Sequence, residues 1–295
     1  MTPIRDIPAR WSWLKMFDRS PAHAQHAARH GKDPTAAMRL GTAGHAAALE
    51  PHRIRVYDGT RRGKAWDAYQ ASQPADAVIC SPAEYARALG MAAALRRADD
   101  ERTDAHGRPL PLLFGPGVIR EGLIEWSHDG RAATSRPDAR LPGKWIADLK
   151  CARTGDPTWF ARDATRQAYP SQLVMYDRAD AYARTGDRRA ISCDLYSIVV
   201  EPFAPYVVTT YRLTASAYTF GERKLDAWWS LLAQHEAMDD AAIVLGEEPQ
   251  PWPGYALSVT DLEIDDMPFP EILGGDDSNA TADGAPEAID WESDL

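Results

Sequence analysis

Two aspartates and a lysine in the middle of the chain have residue types and a spacing that suit a metal-dependent site. Asp138 follows a proline, nine residues separate it from Asp148, and Lys150 comes two residues later. Carboxylate and carbonyl oxygens are ligands that Mg²⁺ and Mn²⁺ prefer in proteins. A neighbouring lysine can orient or deprotonate an attacking water, or stabilise the charge that develops on phosphorus. The pattern therefore predicts the chemistry of phosphodiester hydrolysis.

These three residues fall on two predicted strands that a Pro-Gly turn connects. Residues 131–141 and 144–152 are short, apolar-rich segments on either side of this turn. Asp148 and Lys150 are two residues apart, so their side chains point to the same face of a strand. Antiparallel pairing across the turn places Asp138 near the level of Asp148. The two carboxylates and the lysine are therefore expected to converge at one end of a sheet.

Helices and further strands surround this pair of strands. The predicted strands are 118–127, 131–141, 144–152, 191–200 and 205–213, of which the first two form a hairpin. The predicted helices cover much of 1–50, 66–69, 82–97, two segments between 156 and 184 separated at a proline, and 214–238. This order predicts one α/β or α+β domain with a central sheet. We expect it to span 1–264, with a mostly helical part at 1–110 and the sheet-containing catalytic part at 111–264.

The negative charge of the chain is concentrated near its carboxyl end. The formal net charge is -10, and residues 265–295 contain ten acidic and no basic residues, which leaves 33 of each in 1–264. This last segment is rich in Gly, Ala, Asp and Pro and has no sustained periodicity, so we expect an acidic disordered tail. Because the tail accounts for the whole net charge, the acidic total does not exclude a nucleic-acid partner for the body.

Composition excludes several other classes of protein. Apolar residues make up 44% and charged residues 26% of the 295 residues, which is typical of a globular protein and not of a fibrous one. No run approaches the ~18 apolar residues of a membrane span, and the first residues lack the apolar stretch of a secretory signal. The cysteines, Cys80, Cys151 and Cys193, are too few and too scattered for a disulfide framework or a metal knuckle. We therefore expect a reduced, cytoplasmic protein with no membrane partner.

The ordered set of motifs resembles a known nuclease superfamily. Pro-Asp, nine residues, Asp-x-Lys and then Gln-x-x-x-Tyr is similar to the pattern of PD-(D/E)XK nucleases of the RecB type. More narrowly, residues 15–258 resemble the exonuclease VIII (RecE-type) group of phages and prophages. The shared motifs are GTAGHAAALEP at 41–51, GKAW at 63–66, EWS at 125–127, RPD at 136–138, DLK at 148–150, QLVMY at 172–176, PY at 205–206 and PGY at 253–255. The specificity of the resemblance lies in their order.

The resemblance implies a fold and a set of site residues. The implied fold is a restriction-endonuclease-like core in which helices flank a central mixed β-sheet. The implied metal ligands are His45, Asp138, Asp148, the backbone carbonyl of Leu149 and, for a second metal ion, Glu125. The resemblance makes Lys150 the catalytic lysine and has Gln172 and Tyr176 support the site and the DNA backbone. The implied cofactor is Mg²⁺, for which Mn²⁺ can substitute.

The resemblance also implies a function. Members of the group degrade one strand of linear duplex DNA from the 5′ end as ring-shaped oligomers, and they work with a single-strand annealing protein in homologous recombination and DNA repair. The expected partners are therefore double-stranded DNA ends, an annealing protein and further copies of this chain. A related branch holds an iron–sulfur cluster through four cysteines, and the three scattered cysteines of this chain disfavour it.

The remaining basic residues and the tryptophans each allow two interpretations. The basic residues either contact DNA phosphates or form a solvated loop; they are Arg53, Arg55, Arg61, Arg62, Lys64 and Arg136. The tryptophans are expected in the core rather than as stacking platforms; they are Trp126, Trp145, Trp159, Trp228 and Trp229. Neighbouring helical residues point about 100° apart, so at most one of Trp228 and Trp229 is expected in the central core.

Two other functions stay open at this stage. The chain could be a catalytically silent DNA-end-binding scaffold of the same fold, although the retained Asp138, Asp148 and Lys150 argue against it. It could also be an endonuclease of the same superfamily, which would cut closed circular DNA.

The acidic tail could dock the annealing partner, occupy the DNA channel as a phosphate mimic, or simply keep the protein soluble.

Overall fold

The computed structural model describes residues 3–31, 34–99, 113–189 and 193–254. The helices are α1 (Trp11–Leu14), α2 (Pro21–His30), α3 (Ala36–Leu49), α4 (Lys64–Ser72), α5 (Pro82–Ala98), α6 (Pro157–Arg166), α7 (Tyr169–Thr185) and α8 (Ala215–Val244). The strands are β1 (Ile54–Val56), β2 (Val78–Cys80), β3 (Ile119–Arg120), β4 (Ile124–His128), β5 (Arg131–Ser135), β6 (Ala139–Leu141), β7 (Trp145–Cys151), β8 (Asp194–Val200) and β9 (Val208–Arg212). Short 3₁₀ segments cover Ile4–Asp6, Lys15–Asp18 and Pro51–Arg53. Within these ranges, no helix combines the length and apolar character needed to cross a membrane.

A mixed five-stranded sheet in the order β3-β6-β7-β8-β9 lies at the centre. β7 and β8 pair in parallel, and the other neighbours pair antiparallel. The parallel pair needs a crossover connection, which α6 and α7 supply. Ala139 lies opposite Ala147, so Asp138 is at the level of Asp148, as the spacing predicted. The expected class, a central mixed sheet flanked by helices, is confirmed.

Helices cover both faces of this sheet because its central strands are apolar on both sides. On one face, Ala147 and Leu149 of β7 belong to a buried cluster with residues of α3 and α5. On the other face, Ile146 of β7 packs with Leu173 and Tyr176 of α7. Alternate residues of β7 therefore enter different cores, and the strand that carries Asp148 and Lys150 is fixed from both sides.

The small residues of α3 allow this helix to lie close to its neighbours. A Cβ atom added at Gly44 would lie 2.6 Å from Cε of Met91 on α5, and one added at Gly41 would lie 3.7 Å from Cβ of Cys151. Thr35 begins the helix by accepting a hydrogen bond from the backbone N–H of Met38 (3.2 Å). This close packing carries the next part of α3, including His45, towards the end of β7.

The structure differs from the sequence prediction where strands break. The predicted strand 131–141 is interrupted after Ser135, so β5 forms a separate hairpin with β4, and β6 joins the central sheet. Pro170 lies in the first turn of α7, where a proline suits helix initiation. The last helix, α8, continues to Val244 rather than ending at residue 238. The predicted tail 265–295 and the boundary at residue 264 lie outside the described residues.

The predictions for the tryptophans were partly wrong. Trp228 and Trp229 are both buried, at 2% and 5% exposure. The reason is that α8 is covered on two sides: the indole N–H of Trp228 donates to Asp18 (2.8 Å), and Trp229 stacks on His128 of β4 (4.1 Å between ring centroids). Trp159, expected in the core, is instead 60% exposed on α6.

Candidate active site

The end of β7 places Asp148 and Lys150 side by side. Oδ2 of Asp148 lies 2.5 Å from Nζ of Lys150, and the two side chains are only 2% and 14% exposed. Nζ of Lys150 also donates to Oε1 of Gln172 (2.8 Å). The ring of Tyr169 lies 4.2 Å from the same nitrogen, a distance at which an aromatic face attracts a cation. The ammonium group of Lys150 is therefore held from several directions.

Gln172 and Tyr176 form one face of α7 and position the lysine. Nε2 of Gln172 donates to the hydroxyl oxygen of Tyr176 (2.8 Å), while Oε1 accepts from Lys150. Because the amide has one acceptor end and one donor end, these two contacts determine which way it faces. Burial raises the pKa of Tyr176 well above its ordinary value, so its hydroxyl stays neutral. The structure thus brings both predicted residues to the site, through Lys150.

Asp138 lies just before β6 and connects three segments of the chain. Its Oδ1 lies 3.4 Å from Nδ1 of His45 on α3. Its Oδ2 accepts a hydrogen bond from the backbone N–H of Leu149 (2.5 Å). The N–H and C=O of one strand residue point to the same side, so the carbonyl of Leu149 is directed towards Asp138 as well. His45, Asp138 and Leu149 are therefore brought together as predicted.

Glu121, which the sequence analysis missed, completes this group. One ligand atom each of His45, Glu121 and Asp138 lies within 4.8 Å of the other two. The backbone N–H of Glu121 donates to the carbonyl of Asp138 (3.1 Å), and its side chain is 14% exposed beside Arg136. Its φ of 51° is a left-handed conformation that costs roughly 1 kcal/mol for a non-glycine residue. Such conformations concentrate at functional sites, where surrounding structure maintains them.

Glu125, the acidic ligand expected from the resemblance, is not part of the group. It lies on β4 opposite Thr134, where Ile124 and Trp126 face the core and Glu125 faces solvent. The predicted strand 118–127 in fact ends after Arg120 and begins again at Ile124, so the acid that reaches Asp138 comes from the intervening turn. A glycine within a strand pattern often marks such a break, and Gly122 was the available signal.

Burial and the neighbouring charges together shift the pKa values of the groups at this site. Burial raises the pKa of Glu121 to about 7, and Asp138 adds to this shift. Burial also raises the pKa of Asp148 to about 6, although Lys150 opposes it. Burial alone would raise the pKa of Asp138, but His45 holds it below its ordinary value. Burial would lower the pKa of His45 and of Lys150, but Asp138 and Asp148 respectively raise both.

This donor set fits a divalent cation. Three carboxylates, one imidazole and one strand carbonyl converge, and oxygen-rich sets of this kind suit Mg²⁺ or Mn²⁺. Burial is the main reason why the pKa values of Glu121 and Asp148 are raised, and repulsion from Asp138 adds to both shifts. A cation among these groups would relieve that repulsion.

The predicted DNA-contacting residues are distributed differently. Arg136 lies at the site, where its guanidinium pairs with Glu121 (3.0 Å) and with Glu50 (3.1 Å). Arg61 pairs with Glu84 at the start of α5 and so helps to fix that helix. The others lie in or beside β1 and α4, and they are Arg53, Arg55, Arg62 and Lys64. Among the predicted basic residues, Arg136 is thus the one that contacts the group of His45, Glu121 and Asp138.

Comparison with known proteins gives the fold. No family model matches the chain, and no curated protein matches it. A structure from Eubacterium rectale, described as a "putative exonuclease", is similar with a TM-score of 0.50 and 12% identity, covering 86% of this chain and 89% of that one. An alkaline exonuclease from Laribacter hongkongensis aligns at 17% identity, covering 43% of this chain and 63% of that one with a TM-score of 0.26. The first comparison shows that this chain shares the fold of that protein, and thus supports the expected mixed sheet flanked by helices.

Proposed function

We propose that this chain is a nuclease that hydrolyses phosphodiester bonds of DNA with the help of a divalent metal ion. The observation that carries the proposal is the convergence of His45, Glu121 and Asp138 beside the buried pair of Asp148 and Lys150. Paired carboxylates next to a fixed lysine at one end of a sheet suit attack on phosphorus. The fold shared with the Eubacterium rectale protein supports it.

The metal-holding residues in this proposal come from four segments of the chain. Glu121, Asp138, Asp148, His45 and the carbonyl of Leu149 would hold the ion, and Mg²⁺ is the ion we propose, with Mn²⁺ as a substitute. When bound, the ion supplies a Lewis acid that polarises the phosphate and offsets its charge. Because Asp138 contacts both His45 and Leu149 directly, it aligns α3 with β7 before any ligand arrives.

Lys150 acts as a fixed positive charge in this proposal. Its raised pKa, caused mainly by Asp148 against the effect of burial, keeps the ammonium protonated at neutral pH. A protonated lysine donates hydrogen bonds and cannot accept a proton, so its role is to stabilise negative charge on the reacting phosphate. Gln172 and Tyr176 hold the ammonium in place through the hydrogen bonds described above.

The finer parts of the proposal follow from the ordered motifs. We propose that the substrate is the end of linear duplex DNA, degraded from 5′ to 3′ to expose single strands. The resemblance to the exonuclease VIII group supports this polarity, a ring-shaped homo-oligomer and a single-strand annealing partner in recombination. The composition of the sequence, and not the resemblance, is the basis for proposing a cytoplasmic location and an acidic tail that follows one catalytic domain at 1–264.

Digestion of end-labelled linear duplex DNA tests the activity and the polarity together. The duplex carries a label at either its 5′ or its 3′ end and is incubated with Mg²⁺ or with EDTA. We expect wild-type protein to release the 5′ label with Mg²⁺ only, and Lys150→Ala to release none. Lys144→Ala is the matched control because Lys144 is exposed at the opposite end of the same strand. Release by Lys150→Ala at the wild-type rate would contradict the proposed site.

Two further readings separate the alternatives. Closed circular DNA has no end, so rapid cutting of the circle would show that the protein is an endonuclease of the same fold and not an exonuclease. Binding of DNA ends without hydrolysis under Mg²⁺ or Mn²⁺ would instead support the catalytically silent scaffold. The buried pair of Asp148 and Lys150 and the group around Asp138 are chemically intact, which argues against the silent scaffold, whereas an endonuclease would use the same residues.

A further inference from the structure

The exposed side of α6 carries a tryptophan that the core does not use. Of the tryptophans in the described residues, Trp159 is the most exposed, at 60%. The guanidinium of Arg162, one turn further along, lies 5.2 Å from the centre of its ring. Arg166 is exposed on the same helix, where it pairs with Asp163 (3.2 Å), and Arg153 is exposed just before the helix. The surface therefore combines one large aromatic ring with the positive charge of Arg162 beside it.

This surface has a rigid support. Phe160 points inward at 4% exposure and stacks on Tyr211 of β9, with 4.8 Å between ring centroids and 14° between the planes. Asp156 begins the helix by accepting hydrogen bonds from the backbone N–H groups of residues 158 and 159 (2.9 and 3.1 Å). The hydroxyl of Tyr211 donates to the carbonyl of Gly155. Both ends of the first turn of α6 are thus anchored to the sheet, and Trp159 projects from a fixed position.

The same helix adjoins the candidate active site. The ring of Phe160 lies 6.0 Å from the ring of Tyr169, and the ring of Tyr169 lies 4.2 Å from Nζ of Lys150. Two ring contacts therefore connect the inner side of α6 to the lysine of the site. In the proposed function, α6 is therefore a neighbour of the phosphate on which Lys150 acts.

We propose that Trp159 is a stacking platform for an unpaired base of the nucleic-acid substrate, and that Arg162 contacts an adjoining phosphate. This inference rests on the proposed nuclease function. Stacking of bases on an aromatic side chain is tolerant of sequence, and an arginine beside the ring adds charge attraction to the phosphate. Polar residues, among them Thr158 and Thr165, are exposed on this helix together with the small apolar Pro157 and Ala161, and this mixed surface suits a stacked base better than the apolar centre of a protein interface.

Fluorescence anisotropy with labelled DNA tests the inference. Wild-type protein and variants bind a blunt duplex and a duplex with a short single-stranded extension, with Ca²⁺ in place of Mg²⁺ to suppress cleavage. We expect Trp159→Ala to weaken binding of the extended duplex by roughly five- to 150-fold, and Trp159→Phe to weaken it less because a ring remains. The affinity for the blunt duplex should change much less than that for the extended duplex.

The salt dependence of binding tests the role of Arg162. Arg162→Gln should reduce the slope of log affinity against log salt for the extended strand by about 0.7, the value for one phosphate contact. Arg212→Gln is the matched control, because Arg212 pairs with Asp194 at the opposite end of the sheet from Lys150 and should leave the slope unchanged.

The outcomes separate this inference from the proposed function. If wild type binds and cleaves DNA but Trp159→Ala binds the extended duplex as tightly, the stacking platform is refuted and the nuclease stands. If wild type neither binds nor cleaves any DNA, both proposals are refuted. The inference would also be overturned if Trp159→Ala and Arg212→Gln weakened binding of the extended duplex equally, because the effect would then not be local to α6.

Discussion

Replacing Glu121 by glutamine should stabilise the protein without metal and weaken its binding of metal. The carboxyl group has an ordinary pKa of 4.5 and a pKa of about 7 in the folded protein, because of burial and the nearby Asp138. A raised pKa means that the folded state binds the proton more tightly than the unfolded state does. Ionised Glu121 therefore costs stability that grows as the pH rises from 4.5 to about 7 and is constant above it.

The size of this effect follows from the two pKa values. The difference between 4.5 and about 7 corresponds to about 3 kcal/mol at pH 8. This difference already includes the attraction of Arg136, which lowers the pKa of Glu121, so the loss of that ion pair is not subtracted again. The free energy of unfolding of Glu121→Gln should therefore be about 3 kcal/mol higher than that of wild type at pH 8, and close to that of wild type at pH 4.

Urea unfolding in EDTA at several pH values measures the stability, and calorimetric titration with Mn²⁺ measures the metal affinity. Glu125→Gln is the matched control, because Glu125 is an exposed carboxylate four residues away. We expect the control to change neither stability nor metal affinity, and Glu121→Gln to lower metal affinity by at least tenfold, because an ionised ligand is lost. The reasoning is refuted if Glu121→Gln shows no stabilisation at pH 8, or if Glu125→Gln loses as much metal affinity.

Two further substitutions test the parts that surround the site. Tyr176→Phe removes the hydroxyl that accepts a hydrogen bond from Nε2 of Gln172 (2.8 Å). We therefore expect steady-state digestion to show a roughly tenfold lower kcat and an unchanged KM. A kcat equal to that of wild type would mean that Gln172 and Tyr176 do not position Lys150. Gly221→Ala places a Cβ atom 2.6 Å from the backbone carbonyl carbon of Pro170 and should cost about 1–3 kcal/mol in urea unfolding, whereas Gly254→Ala, with open space around it, should cost far less.

The part of the site on β6 and β7 could be predicted from the sequence. Its geometry depends on two local regularities, the alternation of side chains along a strand and the pairing of strands across a short turn. These place Asp148 and Lys150 on one face and Asp138 at the same level, and the observed register has this arrangement. The site residues of α7 and α3 could not be predicted from these local regularities, because their distance from β7 depends on packing between distant segments. Their prediction came from the order of the motifs.

The remaining differences arise where tertiary contacts override local pattern. Residues 118–127 alternate like one strand, yet the chain turns at Glu121 because its backbone N–H bonds to the carbonyl of Asp138 (3.1 Å). Likewise, the angle between Trp228 and Trp229 would leave one of the two rings exposed if α8 were covered on a single side. α8 is covered on two sides, and this cannot be deduced from the helix itself.

The break at Glu121 is what adds a third carboxylate to a common strand pattern and gives the group that we propose to bind metal. Aspartates and lysines at this spacing on paired strands are ordinary, and two carboxylates alone hold a divalent ion weakly. The left-handed turn adds a third carboxylate next to Asp138, at a backbone cost of roughly 1 kcal/mol. Burial of this carboxylate raises its pKa to about 7, and repulsion from Asp138 adds to the shift. An arrangement that opposes folding in both of these ways persists only where another interaction compensates. A bound cation would compensate the buried negative charge directly, and this is the physical argument for the proposal that the group around Asp138 serves metal binding rather than stability.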